Sequence, residues 1–297
     1  MPRRPLFALA LAAALSGCGT QTLVAGLFIN TPAVPNPAQP GTKLGPFSAL
    51  LGFIVSVDTS NPTNLSSASI KGVTGVDASL VFESCVGLST QPASDGGVSP
   101  QKACVASGQG GTDRVIAVGD SGSGLYELNS SDHPELTFEQ GVTYTMILQE
   151  PGGDAFGARF QPGPAPIMHE FVDKTAIKTL TQGASLAVTR DDLPGPDGRL
   201  LPAAIVVASV DPRQPNAMPK IVWSSIKYTD PKTLALLALS DAPYRVSSFT
   251  IDGSAFVAKG YYLVTMVSLA EGKASGNAFI GSTALAGTGD SGIVQVK

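Results

Sequence analysis

The chain has 297 residues, of which 14% are charged, and a formal net charge of −4. Its 33 Gly and 23 Pro make a composition of short strands joined by many turns. The mildly acidic balance, with no basic cluster, excludes nucleic acid as a partner and electrostatic adhesion to a membrane.

At the N-terminus Arg3 and Arg4 form a short basic start, followed by Leu6 to Leu15, a run of Leu, Ala and Phe only. Such a run matches the apolar core of a signal peptide and falls short of the roughly 20 residues needed to cross a bilayer. It ends in Leu15-Ser16-Gly17-Cys18, which resembles the bacterial lipobox. The resemblance implies that residues 1–17 are a signal peptide, that the Cys18 thiol carries diacylglycerol, and that the new N-terminus is acylated after cleavage. The alternative is an ordinary secretory signal cut nearby. Gly19 after the cysteine implies the outer membrane under the family's sorting rule. The membrane is thus the expected partner, through lipid on Cys18, and the cell envelope the expected location. Without Arg3 and Arg4 the mature chain has 17 basic residues against 23 acidic.

Residues 18–45 read as a Pro-rich tether. Thr31-Pro-Ala-Val-Pro-Asn-Pro-Ala-Gln-Pro40 repeats proline every two or three residues, which favours an extended, semi-rigid spacer. Within it only the apolar stretch Thr22 to Ile29 has the look of a first strand.

From Ser48 onward the pattern is strand-like. Leu50–Val57, Val76–Glu83, Val115–Val118 and Val142–Leu148 are the early runs. Later come Ser185–Thr189, Ala204–Val210, Ile221–Tyr228, Arg245–Ile251, Tyr261–Val267 and Ile293–Val296. Asp-Gly pairs at Asp95, Asp197 and Asp252 mark tight turns. Asp230-Pro231 before Thr-Leu-Ala-Leu-Leu-Ala-Leu carries the start signal of a helix, the one helical candidate in the chain. Phe138-Glu-Gln-Gly141-Val-Thr-Tyr144 is echoed by Phe256-Val-Ala-Lys-Gly260-Tyr-Tyr262. Each places an apolar anchor and a Gly turn before an aromatic that opens a strand. The arrangement resembles the corner of immunoglobulin-like domains in which a tyrosine hydroxyl ties down a turn. Gln161-Pro-Gly-Pro-Ala-Pro166 is a natural boundary. The expectation is an all-β protein of two tandem immunoglobulin-like β-sandwich domains, residues 46–166 and 167–297.

With Cys18 set aside for lipid, Cys85 and Cys104 remain and are expected to pair in an oxidising compartment. Free thiols are the alternative. Two sulfurs without His or further Cys neighbours do not make a metal site.

Several motifs invite a catalytic reading. Gly119-Asp120-Ser121-Gly122-Ser123-Gly124 resembles the first block of GDSL (SGNH) esterases and contains the Gly-Asp-Ser-Gly string of trypsin-like proteases. A serine nucleophile needs a base. The chain has only His133 and His169, neither lies in the late Asp-x-x-His block of the esterases, and no His precedes Ser121. A Gly-rich turn is expected there, and the repeat Gly289-Asp-Ser-Gly292 reads as another. His169-Glu170 lacks a second His four residues on, the spacing of a zinc helix, so His169 reads as an exposed polar residue at the junction. Asp191, Asp192 and Asp197 in one loop suit turns better than a calcium site of 6–8 oxygens. Trp223 sits in an apolar run and reads as core, while Tyr126 is a candidate loop aromatic for sugar binding.

No catalytic residues, metal or cofactor are assigned. The expected function is that of a lipid-anchored, non-enzymatic binding or structural module of the cell envelope with a protein partner. The alternative is a carbohydrate-binding or adhesive module with a glycan partner. A serine esterase using Ser121 ranks third.

Overall fold

The computed structural model describes residues 20–58, 70–72, 77–83, 114–120, 125–132, 143–149, 155–160, 163–195, 197–227, 244–276 and 283–297. Among them the regular elements are strands and two short 3-10 turns, so the all-β expectation stands. The strands are β1 Thr20–Thr31, β2 Val34–Pro35, β3 Lys43–Leu44, β4 Phe47–Asp58, β5 Ile70–Gly72, β6 Asp77–Glu83, β7 Arg114–Asp120, β8 Leu125–Asn129 and β9 Thr143–Gln149. They continue with β10 Ala155–Phe160, β11 Ile177–Leu180, β12 Leu186–Thr189, β13 Ala203–Val210, β14 Lys220–Ser224, β15 Ser248–Ile251, β16 Gly260–Glu271, β17 Lys273–Gly276 and β18 Thr283–Val296. The helical candidate after Asp230 lies outside the described residues, as does the Phe138–Gly141 part of the echo.

One hydrogen-bonded path joins most of these strands, in the order β14-β13-β16-β18-β1-β4-β8-β7-β6-β9-β10-β17. β1 and β11 run parallel to β18, and the other pairings along the path are antiparallel. The path crosses the Pro/Gly-rich stretch twice, once where β1 and β4 meet β18 and once where β17 pairs with β10. Against one face of β13, β16 and β18 lies a second layer, the antiparallel ribbon β12–β15 with the 3-10 turns His169–Phe171 and Gly253–Phe256. Between the layers is a core of Val188, Ile205, Phe256, Val264, Met266 and Val294, all fully buried. β13 is apolar from Ala203 to Ala208 on both faces, because that stretch lies between β14 and β16 and is largely buried.

The expected tether is not a spacer beyond Thr20. β1 pairs with β4 over its whole length, from Thr20↔Asp58 to Thr31↔Phe47. The Pro-rich segment folds back as the hairpin β2–β3, closed by Asn36 N–H to Thr42 O (3.0 Å) and Thr42 N–H to Gln39 O (3.1 Å). Prolines forbid a long ladder but tolerate a two-pair one, and apolar burial completes it. Val34 and Leu44 bury against Phe47, Leu263 and Ile293.

Gly289-Asp-Ser-Gly292 is not a turn. It lies inside β18, and its glycines serve close approach. A Cβ at Gly292 would overlap the Phe171 ring, and one at Gly289 would press on Thr265 and Val267. The Tyr262 hydroxyl donates to Ala258 O (2.7 Å), and its ring stands edge-on to Phe256 at 5.5 Å. The corner anticipated from Phe256 to Tyr262 is therefore present.

Gly292→Ala should destabilise the protein by about 1–3 kcal/mol, because Phe171 must leave its seat in a closed core. Urea unfolding measures this, and an unchanged midpoint would contradict the packing of Phe171 on β18.

Candidate functional site

The face of the sheet opposite the ribbon carries Leu27, Ile29, Phe47, Leu263 and Thr265 on neighbouring strands. Side chains two apart on a strand share a face, which is how β1 and β16 bring these residues together. The hairpin β2–β3 covers one end of this face, and the segment after β13 forms a wall beside the rest. A hollow of about 70 Å³ remains between the floor and Met218, Pro219 and Ile221 of that wall. It continues past Phe47 and Met218 into a wider hollow of about 350 Å³, rimmed by Asp211, Gln214 and Lys220.

The floor offers no free polar atoms. Thr31 Oγ1 accepts from Phe47 N–H (3.2 Å) and donates to Phe47 O (3.1 Å). Thr265 Oγ1 and Ser291 Oγ share a hydrogen bond of 2.8 Å. The wall is braced rather than loose. Asp211 Oδ1 accepts from Arg213 N–H (3.0 Å), and Gln214 N–H donates to Asp211 O (2.9 Å), a turn that Pro212 presets. Asn36 Nδ2 donates to Pro212 O (2.8 Å), and Gly45 N–H donates to Pro215 O (3.3 Å). Met218 (36%) and Ile221 (38%) stay exposed along this rim, beside and on β14, which ends the strand path among the described residues. An apolar floor with a few polar groups at its mouth is the usual build of a binding groove.

The junction between the expected domains forms a second polar cluster. His169 Nε2 lies 2.6 Å from Asp191 Oδ1, and its Nδ1 lies 3.2 Å from Thr189 Oγ1. Thr189 Oγ1 donates to Glu170 Oε1 (2.8 Å), and Thr189 N–H donates to Glu170 Oε2 (2.8 Å). Since the threonine proton is committed to Glu170, Nδ1 must donate to Thr189. A carboxylate at Nε2 likewise requires a proton there. The network is complete only with imidazolium, and the hydrogen bond to Asp191 raises the His169 pKa above its ordinary 6.5. His169 is thus exposed at the junction, as the sequence suggested, but engaged.

Two buried charges hold the same region and were not singled out in the sequence. Arg190 is 2% exposed. Its guanidinium donates to Val246 O (3.0 Å), Ser268 Oγ (3.0 Å) and Leu201 O. Desolvation lowers its pKa. Asp290 accepts from Met168 N–H (2.8 Å) and Ser291 N–H (2.9 Å) and pairs with Lys174. The sequence signal for both was a charge within or beside an apolar or Gly-rich strand.

The aspartate loop does not converge. Asp191 is taken by His169, while Asp197 pairs with Arg199 (2.6 Å) and Arg245 (3.6 Å). Hydrogen bonds from the Arg199 backbone and side chain lower the Asp197 pKa. Among the described residues no three His, Cys, Asp or Glu side chains gather as a metal site. Tyr126 is not a loop aromatic: it lies on β8 and is fully buried. Trp223 is half-buried and packs on the core between the layers. Cys18, Cys85, Cys104, Ser121 and His133 lie outside the described residues.

No family model matches this chain, and no curated protein does. Among solved structures, the FN1–FN3 domains of chicken CNTN1 align with 77% of this chain and 62% of theirs, at 10% identity and a TM-score of 0.22. Escherichia coli alpha-2-macroglobulin activated by porcine elastase aligns with 93% of this chain and 23% of its own, at 11% identity and a TM-score of 0.20. The chain spans less than two thirds of either structure, and superpositions this loose carry no argument about function.

Below pH 6.5 the His169 network contributes fully to stability, and the contribution is lost as pH rises through the raised folded-state value. In an NMR titration Asp191→Asn should move the His169 midpoint down toward 6.5, and an unmoved midpoint would break the assigned network. Arg190→Met strands two buried acceptors, Ser268 Oγ and Leu201 O, and a part-buried one, Val246 O, and should cost about 1–3 kcal/mol in urea unfolding. Arg190→Lys should rescue it poorly, because one ammonium cannot span the fork.

Proposed function

We propose that this chain is a lipid-anchored, non-enzymatic binding module of the cell envelope. Its groove receives an extended apolar segment of another envelope protein. The observation that carries the reading is the groove itself: a satisfied apolar floor, a braced wall, and exposed Met218 and Ile221 along one rim. Binding sites are built this way because apolar burial supplies affinity and the few rim groups supply register. β14 adds a short strand at the end of the path, a geometry onto which an incoming strand adds by backbone pairing. The glycan alternative loses its aromatic candidate with the burial of Tyr126.

The anchor rests on Leu15-Ser16-Gly17-Cys18, and the same reading sets the protein in the outer membrane. It leaves Cys85 and Cys104 to form a disulfide. Mass spectrometry of the unreduced protein should yield a peptide joining those two residues, and free thiols at both would refute the pairing.

A photo-crosslinking amino acid at Met218 in living cells should give a discrete adduct with an envelope protein. Ile221→Asp, at an exposed position, should weaken that adduct by roughly tenfold or more, the scale of losing one apolar contact surface. Adducts unchanged by Ile221→Asp, or polysaccharide binding in place of a protein adduct, would overturn the reading.

A further inference from the structure

We infer that the body is seated directly on the bilayer, held by β1 with the Thr20–Asp58 end of the sheet against the headgroups and the groove end pointing away. The inference rests on the lipid anchor at Cys18 and concerns what that anchor does to the rest of the molecule.

The covalent distance is short. Only Gly19 separates Cys18 from Thr20, the first residue of β1. Two trans peptide steps place the Cys18 Cα within about 8 Å of the Thr20 Cα, whatever the conformation between them. The segment that would have served as a spacer is committed elsewhere. β1 is paired with β4 from its first residue, and from Ala25 onward it is also paired with β18 on its other edge. The prolines that suggested a spacer lie after β1, in the hairpin that covers the far end of the sheet.

Strand direction then orients the molecule. β1 runs from Thr20, beside the anchor, to Thr31, beside the groove. At about 3.3 Å per residue that is roughly 36 Å of strand. β18 runs the same way, and the antiparallel β4 and β16 return toward the anchor, ending at Asp58 and Glu271. The hairpin β2–β3, the braced wall from Asp211 to Pro219 and the turn at Ser131 gather at the opposite end, where Ser131 Oγ donates to Asn216 O. Acyl chains at Cys18 draw the near end to the lipid. The acidic balance of the mature chain, 17 basic residues against 23 acidic, disfavours laying a broad face on an anionic leaflet. The anchor therefore presents the groove at a height set by strand length rather than by a flexible linker.

The test uses the mature, lipidated full chain in vesicles of phosphatidylethanolamine and phosphatidylglycerol with nitroxide-labelled headgroups. A fluorescent amino acid is placed at Asp58 in one sample and at Ala38, an exposed hairpin position, in another. Quenching is expected to be several-fold stronger at position 58 than at position 38. A Gly/Ser spacer of about 12 residues inserted before Thr20, which adds roughly 20 Å of mean reach, should remove most of it. Equal quenching at both positions would mean that the body lies flat and would overturn the proposal. Absence of quenching at position 58 in protein whose mass confirms acylated Cys18 would mean that the start of β1 detaches as a spacer, and would overturn it too. An N-terminal peptide of unacylated mass would instead refute the anchor itself, a separate failure read before any vesicle is made.

Discussion

β18 is hydrogen-bonded along both edges. β16 lies on one side over the register from Gly260↔Val296 to Glu271↔Leu285. On the other side β1 pairs in parallel with residues 283–288, and β11 pairs in parallel with residues 293–296. Between those two partners lie Gly289 to Gly292, against whose face the chain entering the second half packs. There Met168 N–H reaches Asp290, and the Phe171 ring occupies the space that Gly292 leaves. The last strand therefore joins the first strand, the returning antiparallel strand and the inter-half connection at once. Its contacts with β1 span most of the sequence, so they form only after the whole chain is available, and their loop-closure cost falls on folding rate more than on stability.

Polar burial is the second feature of this junction. Arg190 ties β12 to β16 and to the loops at Leu201 and Val246 through neutral acceptors alone. Asp290 ties β18 to the chain at Met168 and Lys174. Buried charges of this kind contribute little net stability, yet removing one leaves partners unsatisfied in a medium without water. They specify one arrangement of the connection against others that would bury the same apolar area. Outside them, the exposed network of His169, Asp191, Thr189 and Glu170 closes the same joint in a form that responds to pH. The groove lies on the other face of the sheet, so the polar joint and the apolar site are separated by one layer of strands.

The legible and illegible parts of the chain divide along physical lines. Runs with alternating or continuous apolar character, such as those in β4, β6, β9, β13 and β16, were recognisable because pleat period and β-branched residues mark them. The corner at Tyr262 was recognisable because it is local, its partner Ala258 being four residues away. β11 and β17 carry no such mark, because each owes its pairing to a distant strand rather than to its own pattern, and β10, though it pairs with its neighbour β9, is a short Gly-containing run without β-branched residues. The Gly289–Gly292 motif misled because glycine serves both turns and close approach, and only the ring of Phe171 distinguishes them. Tyr126 misled in the same way: it follows the Gly-rich run Gly119–Gly124, which suggests a loop, while its burial follows from its place on β8, against β4.

What the amino-acid sequence determined by itself is whatever depends on neighbours along the chain: the all-β class, the turns at Asp197 and Asp252, the Tyr262 corner, and the expectation of a lipid on Cys18. What only the tertiary structure decided is which strands lie side by side. That choice turned an expected tether into a strand between β18 and β4, folded a proline segment onto Leu263 and Ile293, and assembled a groove from β1, β4, β13 and β16. The physical reason is that a strand's pattern states which face it buries but not against which partner. Partner choice depends on total apolar burial and backbone pairing across the whole sheet, and no window of sequence contains both sides of it.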